Sequence, residues 1–198
     1  MYSEIAYASQ SFSGVKAGRV IKVDWHRTQI PSKNFSQQMG MPYEVWLEKT
    51  AGEYYLCSAP VREIESLYDT TAKYVENFAL SDTMSVFTGE NPLEIRLKVA
   101  MDKAKELSLC IYGHVMKIDV SNNKLVLGGS EMPLSVEKEE AEICMLVDKC
   151  TIECFADKGK FCMAKQALAD YNLPYVSLST QKQAEIELFD VKILKSVL

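Results

Sequence analysis

With 198 residues, 47% hydrophobic and 25% charged, the chain has room for one domain of about 100–150 residues plus an appended piece, in an ordinary globular composition. Lys and Arg number 22 against 27 Asp and Glu, a net charge of −5 with no basic run, which argues against a nucleic-acid partner. No window approaches the ~20 apolar residues of a membrane span, and Met1-Tyr2-Ser3-Glu4-Ile5 lacks a basic region leading into an apolar run, so the sequence reads as cytoplasmic with no membrane partner.

In chain order, Val61, Ile64 and Leu67 follow Ser58 and Pro60 and predict a cap and two helical turns with one apolar stripe. This short helix marks a boundary between two regions. Beyond it, Leu93, Ile95, Leu97 and Val99 alternate with Glu94, Arg96 and Lys98, the period of a strand with one buried face. Asp102 to Glu106 reads as a charged hairpin connection, and Leu107, Leu109 and Ile111 repeat the strand period. Met116 to Asp119 and Lys124 to Leu127 flank Ser121-Asn122-Asn123, where asparagine tolerates positive φ, so a hairpin is expected. Ile143, Met145 and Val147 alternate with Cys144, Leu146 and Asp148, and a second β-rich run covers Thr151 to Phe155. Asp157-Lys158-Gly159 supplies a turn before a third short strand, so the three form an antiparallel meander. Ala164 to Tyr171 suits a helical turn or two, and Ala184, Ile186 and Leu188 alternate again before Val191 and Ile193. Short strands with frequent turn signals predict a two-layer antiparallel sandwich.

The order Val147-Asp148-Lys149, a short polar step, Ile152-Glu153-Cys154-Phe155 and the Asp157-Lys158-Gly159 turn resembles the C-terminal β-sandwich of glycoside hydrolase family 32, the invertases, levanases and inulinases. Upstream, Gln10-Ser11-Phe12 followed by Gly18-Arg19-Val20-Ile21 and a run closing on Trp25 is similar to the last blade of that family's catalytic propeller. Phe35-Ser36-Gln37-Gln38-Met39 resembles its Gln-Gln-Met segment, and Met41-Pro42-Tyr43-Glu44-Val45-Trp46-Leu47 its Pro-x-Glu-Leu strand. Pro60-Val61-Arg62-Glu63-Ile64-Glu65-Ser66-Leu67 resembles the linker into the sandwich; Tyr68 to Leu93 and Ala164 to Leu173 match poorly. The resemblance implies an all-β fold. It comprises a propeller-blade remnant over residues 1–59, one linker helix over 60–70, and a jelly-roll- or concanavalin-like antiparallel sandwich over 71–198.

A retaining glycosidase needs two carboxyl groups about 5–5.5 Å apart, one a nucleophile and one an acid of raised pKa. The resemblance implies a nucleophilic Asp in Asn-Asp-Pro, a second Asp in Arg-Asp-Pro and an acid Glu in Glu-Cys; neither of the first two motifs occurs in this chain. Glu153-Cys154 spells the third, but Thr151-Ile152 and Phe155-Ala156 around it match the sandwich hairpin, so Glu153 is expected to be a solvent-facing strand residue. Asp148, Glu153 and Asp157 then mark a polar face and a turn, and no catalytic residue is assigned.

The six cysteines, Cys57, Cys110, Cys144, Cys150, Cys154 and Cys162, permit disulfides by their even number but have no Cys-x-x-Cys spacing, so they read as reduced small hydrophobes without a metal or other cofactor. His26 and His114 have no nucleophile beside them in sequence. A propeller blade buries its faces against its neighbours, so residues 1–60 should fold back on the sandwich, pair with a second copy, or complete a polypeptide carrying the missing propeller portion. Otherwise Trp25, Phe35, Trp46, Tyr54 and Tyr55 would be exposed, which points to a homo-oligomer or that propeller partner. Trp25, Tyr43, Trp46 and Tyr54 are also the candidate carbohydrate-binding residues, with Tyr55 beside them and Gln37, Gln38 and Glu44 to reach hydroxyls of a fructan; the plainer reading makes them core or interface aromatics. Three functions follow: an inactive structural module of a fructan- or sucrose-cleaving hydrolase, a stand-alone lectin-like module, or the complementing subunit of a split glycosidase.

Overall fold

Alternating side chains and turns built on Gly, Asn and Asp resolve into eighteen strands and one short helix in the computed structural model, which describes residues 2–16, 18–31, 34 and 36–196; Phe35 lies outside the described residues. The first region holds β1 (Tyr2–Ser3), β2 (Ala6–Ser11), β3 (Val20–His26), β4 (Gln38–Met39), β5 (Tyr43–Thr50) and β6 (Glu53–Pro60), followed by a 3₁₀ helix over Arg62–Leu67. Then come β7 (Tyr68–Leu80), β8 (Thr83–Phe87), β9 (Leu93–Ala100), β10 (Glu106–Ile111), β11 (His114–Asp119) and β12 (Lys124–Leu127). Finally β13 (Ser130–Pro133), β14 (Glu140–Val147), β15 (Thr151–Ala156), β16 (Phe161–Gln166), β17 (Tyr175–Thr180) and β18 (Ala184–Leu194) complete the chain. No helix among the described residues is long and apolar enough to cross a membrane.

The sandwich has a seven-stranded sheet in the order β1-β16-β15-β14-β9-β18-β7 and a six-stranded sheet in the order β13-β12-β11-β10-β17-β8. Leu93, Ile95, Leu97 and Val99 of β9 and Leu107, Leu109 and Ile111 of β10 bury together in one core, as the period of two requires. The expected meander is present: Met145 pairs with Cys154 and Cys154 with Met163 across β14, β15 and β16. Asp157, Lys158 and Gly159 turn with positive φ, and Asn123, at φ 54°, closes the β11–β12 hairpin.

Two local expectations are corrected. Residues 161–166 are strand β16 and the chain then runs irregularly to a turn at Tyr171, so Ala164 to Tyr171 is not helical. Pairing along β15 supplies the backbone partners that a helix would have supplied internally. The helix at Arg62–Leu67 forms, but its N-cap is Val61 and no side chain caps it, so Ser58 does not serve there. Ser58 belongs instead to β6.

Apart from β1, the first region is a five-stranded antiparallel sheet, β2-β3-β5-β6 with β4 on β3, and it folds back onto the sandwich. The Ser58 amide donates to the Gly159 carbonyl at 2.8 Å, which fastens the edge of β6 to the β15–β16 turn. β1 adds to β16 as a parallel edge strand, and Lys165 Nζ reaches Glu4 at 2.8 Å beside it. Tyr43 and Ile64 meet Leu146, Phe155, Cys162 and Leu194 in a second apolar cluster at the junction.

Gly159 is required twice over. Its φ is +88°, and a Cβ there would stand 2.1 Å from the Ser58 carbonyl oxygen, a backbone atom that cannot swing aside. Gly159→Ala is therefore expected to lower the unfolding free energy by roughly 3 kcal/mol, read from chemical denaturation. A change below about 0.5 kcal/mol would show that β6 does not bear on this turn.

Candidate functional site

The residues that carry the functional question converge where the first sheet meets β15. All six residues of β15 are buried, because β14 and β16 flank it, the core takes one face and the first sheet covers the other. Ile152, Cys154 and Ala156 point into the sandwich core. Thr151, Glu153 and Phe155 point the opposite way, and the chain from Gln38 to Tyr43 runs along them. Gln38 Nε2 donates to Thr151 Oγ1 at 3.1 Å, the Met41 amide donates to Glu153 Oε1 at 2.8 Å, and Tyr43 packs with Phe155 in the junction cluster.

Glu153 is thus 3% exposed, not solvent-facing as its sequence neighbours suggest. The reason is long-range: the covering segment lies 112 residues away in the chain. Burial pushes its carboxyl up to about 7; the Met41 hydrogen bond pulls the other way, while the charges of Asp24 and Asp148 add to the rise. Cys154 faces the core, fully buried, and its thiol is pushed well up by burial. The Glu-Cys dipeptide is therefore split between two interiors, and neither side chain opens to solvent.

Asp24 of β3 lies beneath the same junction, 1% exposed, with Oδ1 accepting from Tyr43 Oη at 2.7 Å and from Ser9 Oγ. Burial raises the Tyr43 phenol, with the Asp24 hydrogen bond next in weight. His26, two residues on, is fully buried with no hydrogen-bond partner at either ring nitrogen, and burial lowers its pKa so that it is held neutral. Gly40 makes room for it: a Cβ there would come within 2.6 Å of the imidazole. His114 is elsewhere, with Nε2 at 2.7 Å from the Leu168 carbonyl oxygen.

The other acids of the meander accept from backbone amides: Asp157 in the turn where the sequence places it, and Asp148 just past the end of β14. Asp157 Oδ2 accepts from the Val136 amide at 2.7 Å and Asp148 Oδ1 from the Lys149 amide at 2.7 Å. No three His, Cys, Asp or Glu side chains among the described residues are placed to hold a metal ion, and the six cysteines are free thiols. A pair of accessible carboxylates facing one sugar-sized hollow is not formed by Asp24 and Glu153, since both are sealed.

The four candidate carbohydrate residues are not brought onto one platform. Tyr43 is 4% exposed and committed to Asp24. Trp25, Trp46 and Tyr54 are exposed, but the strand register sets Trp25 in a row with Tyr7 and Met39, Trp46 opposite Cys57, and Tyr54 opposite Lys49. Tyr55 packs edge-on to Phe161 at 6.3 Å between centroids. Gln38 is engaged with Thr151 and Cys150, and Glu44 accepts from Arg19 Nε at 2.7 Å.

Glu94 is buried without a sign of it in the local sequence. Its alternation with Leu93 and Ile95 suggests a polar outer face, yet it is 1% exposed, with Oε1 accepting from Arg96 Nε at 2.6 Å and Tyr68 Oη at 2.9 Å. Beside it, between the first sheet, the helix and the seven-stranded sheet, is a cleft of ≈ 410 Å³ lined by Trp46, Arg62, Glu65, Arg96, Lys98 and Lys158 among others. The only signal for this in the sequence is the charged helix 62–67 itself, which requires a polar surface to lie on.

The linkage of Glu153 has a definite sign. A carboxyl whose folded pKa of about 7 exceeds its ordinary 4.5 holds its proton longer in the native state, so its contribution is fully present below 4.5 and lost as pH rises through about 7. The span corresponds to roughly 3 kcal/mol. His26, kept neutral, works oppositely below its ordinary 6.5. Glu153→Gln keeps an acceptor for Met41 and removes the titration. The stability of the wild type relative to this variant should fall by roughly 3 kcal/mol between pH 4.5 and 7.5 in denaturant titrations, while parallel profiles would mean that Glu153 is solvated.

No protein-family model matches the sequence, and no curated protein does. Solved structures do. An exo-inulinase from Aspergillus awamori superposes with a TM-score of 0.88 at 15% identity, over 100% of this chain and 44% of that one. A β-fructofuranosidase from Schwanniomyces occidentalis gives 0.77 at 15% identity, over 98% of this chain and 48% of that one. The GH32 β-fructofuranosidase of Bombyx mori gives 0.69 at 14% identity, over 98% and 41%. The chain spans less than half the length of each. Its fold is that of the C-terminal portion of glycoside hydrolase family 32 fructofuranosidases and inulinases.

Proposed function

We propose that this chain is the C-terminal module of a fructan- or sucrose-hydrolysing protein of glycoside hydrolase family 32. It comprises a last propeller blade over residues 1–59, a linker over 60–70 and a β-sandwich over 71–198, and it acts as scaffold. The observation that carries this reading is the match to an exo-inulinase over the whole of this chain and 44% of that one, at a TM-score of 0.88. Two further facts support the assignment of scaffold without chemistry. The sequence has no Asn-Asp-Pro or Arg-Asp-Pro motif, and the Glu of its one relevant Glu-Cys pair is sealed at the junction with a single hydrogen bond from Met41. An acid that must protonate a glycosidic oxygen has to reach it, within hydrogen-bond distance of about 2.6–3.2 Å.

A carbohydrate-binding role is the second reading, favoured by the exposure of Trp25, Trp46 and Tyr54. Without Tyr43 those rings offer separate, single contacts, and an isolated ring stacks one sugar weakly. Interface packing is the stronger account of them.

The purified 198-residue chain should release no fructose from sucrose, inulin or levan above a buffer control, followed by a reducing-sugar assay over hours at stoichiometric enzyme. Measurable release would overturn the scaffold reading.

A further inference from the structure

The two sheets of the sandwich have unlike outer faces. On the seven-stranded sheet, Glu94, Arg96 and Lys98 of β9 and Asp190 and Lys192 of β18 alternate with core residues and point outward. Ion pairs bind that face together: Arg96 to Glu94 at 2.6 Å, Lys98 to Glu140 at 2.7 Å and Lys192 to Asp190 at 3.3 Å. On the six-stranded sheet, Leu107 and Leu109 of β10, Val176 and Leu178 of β17 and Val86 of β8 fill the core, so their neighbours in sequence face outward. Pairing then sets Ser85, Ser177 and Cys110 in one row and Thr83, Ser179 and Ser108 in the next, across β8, β17 and β10. Neither row carries a charge.

Strands stand about 4.8 Å apart and outward residues about 6.6 Å apart along each strand, so these small side chains pave a low floor. At one end Phe87 and Tyr175, directly opposite each other, rise as an edge-to-face pair with centroids 5.6 Å apart, and they are 65% and 47% exposed. Along the β11 side stand Val115, opposite Cys110, and Lys117, opposite Ser108. The β8 side is open, since β8 has no neighbour on its outer edge among the described residues. The Ser85, Ser108 and Ser177 hydroxyls have no partner within the protein among the described residues, and Ser179 Oγ makes only a 3.4 Å bond to the Ser108 carbonyl. The chemistry of this floor selects what can cover it. A protein face of apolar side chains would seal those hydroxyls without partners, which is unfavourable. A second copy laid face to face would set serine against serine across sheets about 10 Å apart, too far for such short side chains to meet. Nucleic acids and anionic surfaces need cations, and neither row supplies one. A neutral polysaccharide fits on each count: its C–H faces stack on aromatic rings, its hydroxyls both donate and accept, and it needs no counter-charge.

We propose that the outer face of the six-stranded sheet binds a neutral polysaccharide chain. Phe87 and Tyr175 stack a sugar ring at one end, and the hydroxyls of Ser85, Ser108 and Ser177 bond the sugars that lie along the floor. The surface belongs wholly to the sandwich and uses none of the aromatics of the first sheet. It goes beyond the scaffold reading and does not rest on it: the module holds polymer and cleaves none.

The test runs the purified 198-residue chain through native gels containing inulin, levan, dextran or methylcellulose, with polygalacturonate as the charged control. At least one neutral polymer is expected to slow the chain, and polygalacturonate is not. The double variants Phe87→Ala/Tyr175→Ala and Ser85→Lys/Ser177→Lys should each weaken that retention about tenfold or more. Trp25→Ala/Tyr54→Ala, on the first sheet, should leave it unchanged. Circular dichroism and melting verify that each variant folds, and the alanine pair, at two exposed positions, keeps the test decisive if the lysine pair does not fold. Passage unslowed through every neutral polymer would overturn the proposal, as would retention by polygalacturonate as strong as theirs. So would retention indifferent to the floor variants or lost in Trp25→Ala/Tyr54→Ala, or a homodimer in light scattering that Phe87→Ala/Tyr175→Ala disperses. None of these outcomes touches the scaffold reading, which fails only on fructose release by the chain alone.

Discussion

The architecture depends on one strand being covered on both sides. β15 sits inside the seven-stranded sheet with Ile152, Cys154 and Ala156 in the sandwich core, and the alternation that sends them inward sends Thr151, Glu153 and Phe155 outward. That outward row would be a wet polar face in an isolated sandwich. Here the chain from Gln38 to Tyr43 lies along it, making one contact to each residue of the row. A two-residue slip of that segment would set Tyr43 against the Glu153 carboxyl in one direction or the Met41 amide against Phe155 in the other, so the row fixes the register of the first sheet on the second. The junction is thereby determined by chemistry as well as by shape.

A buried carboxylate with a single hydrogen bond is a poor source of stability. Desolvation costs it more than the Met41 amide returns, which is why its proton is retained to about pH 7. What such a group contributes is intolerance of misplacement. Asp24 accepts from Tyr43 and Ser9, and Glu94 from Arg96 and Tyr68; these two buried carboxyls are likewise fixed in place by directional partners, and all three lie where the two regions or their linker meet the sandwich. Apolar packing at the junction comes from only a small cluster around Tyr43, Phe155 and Leu194, against a much larger core in the sandwich. The sandwich is the body that holds, and the polar groups set where the first sheet stands on it.

How far the sequence disclosed this follows from the range of the interactions involved. The β14–β15–β16 meander, its Asp157-Lys158-Gly159 turn and the Asn123 hairpin were all legible, since a period of two and positive-φ turn residues act over a few positions. The short helix at Arg62–Leu67 was legible too, although its cap was not, because Ser58 is drawn into β6 by pairing with Val45. The burial of Glu153 and Glu94 was hidden, as each is covered by a segment that local alternation cannot see. Tyr43 misled for the same reason: Asp24, its partner, is on another strand. Ala164 to Tyr171 has helix-forming residues, but pairing with β15 takes Ala164 to Gln166, and the amides of Ala167 and Ala169 donate to the Cys150 and Lys149 carbonyls.

The same geometry explains why a Glu-Cys pair can occur here without its chemistry. In an extended strand adjacent residues point to opposite sides, so Glu153 and Cys154 must address different environments. For the glutamate to serve as an acid, its side of the strand would have to border an open hollow that admits a sugar. It borders instead the amide of Met41 and the charge of Asp24, and the hydrogen bond there is one that a substrate oxygen would need to displace. Raised acidity range and general-acid function are therefore separable. The first follows from exclusion of water alone, whereas the second also requires that something other than water be let in. At this junction the covering segment that produces the one forbids the other, and the strand that could be mistaken for a catalytic element is the one that holds two sheets in register.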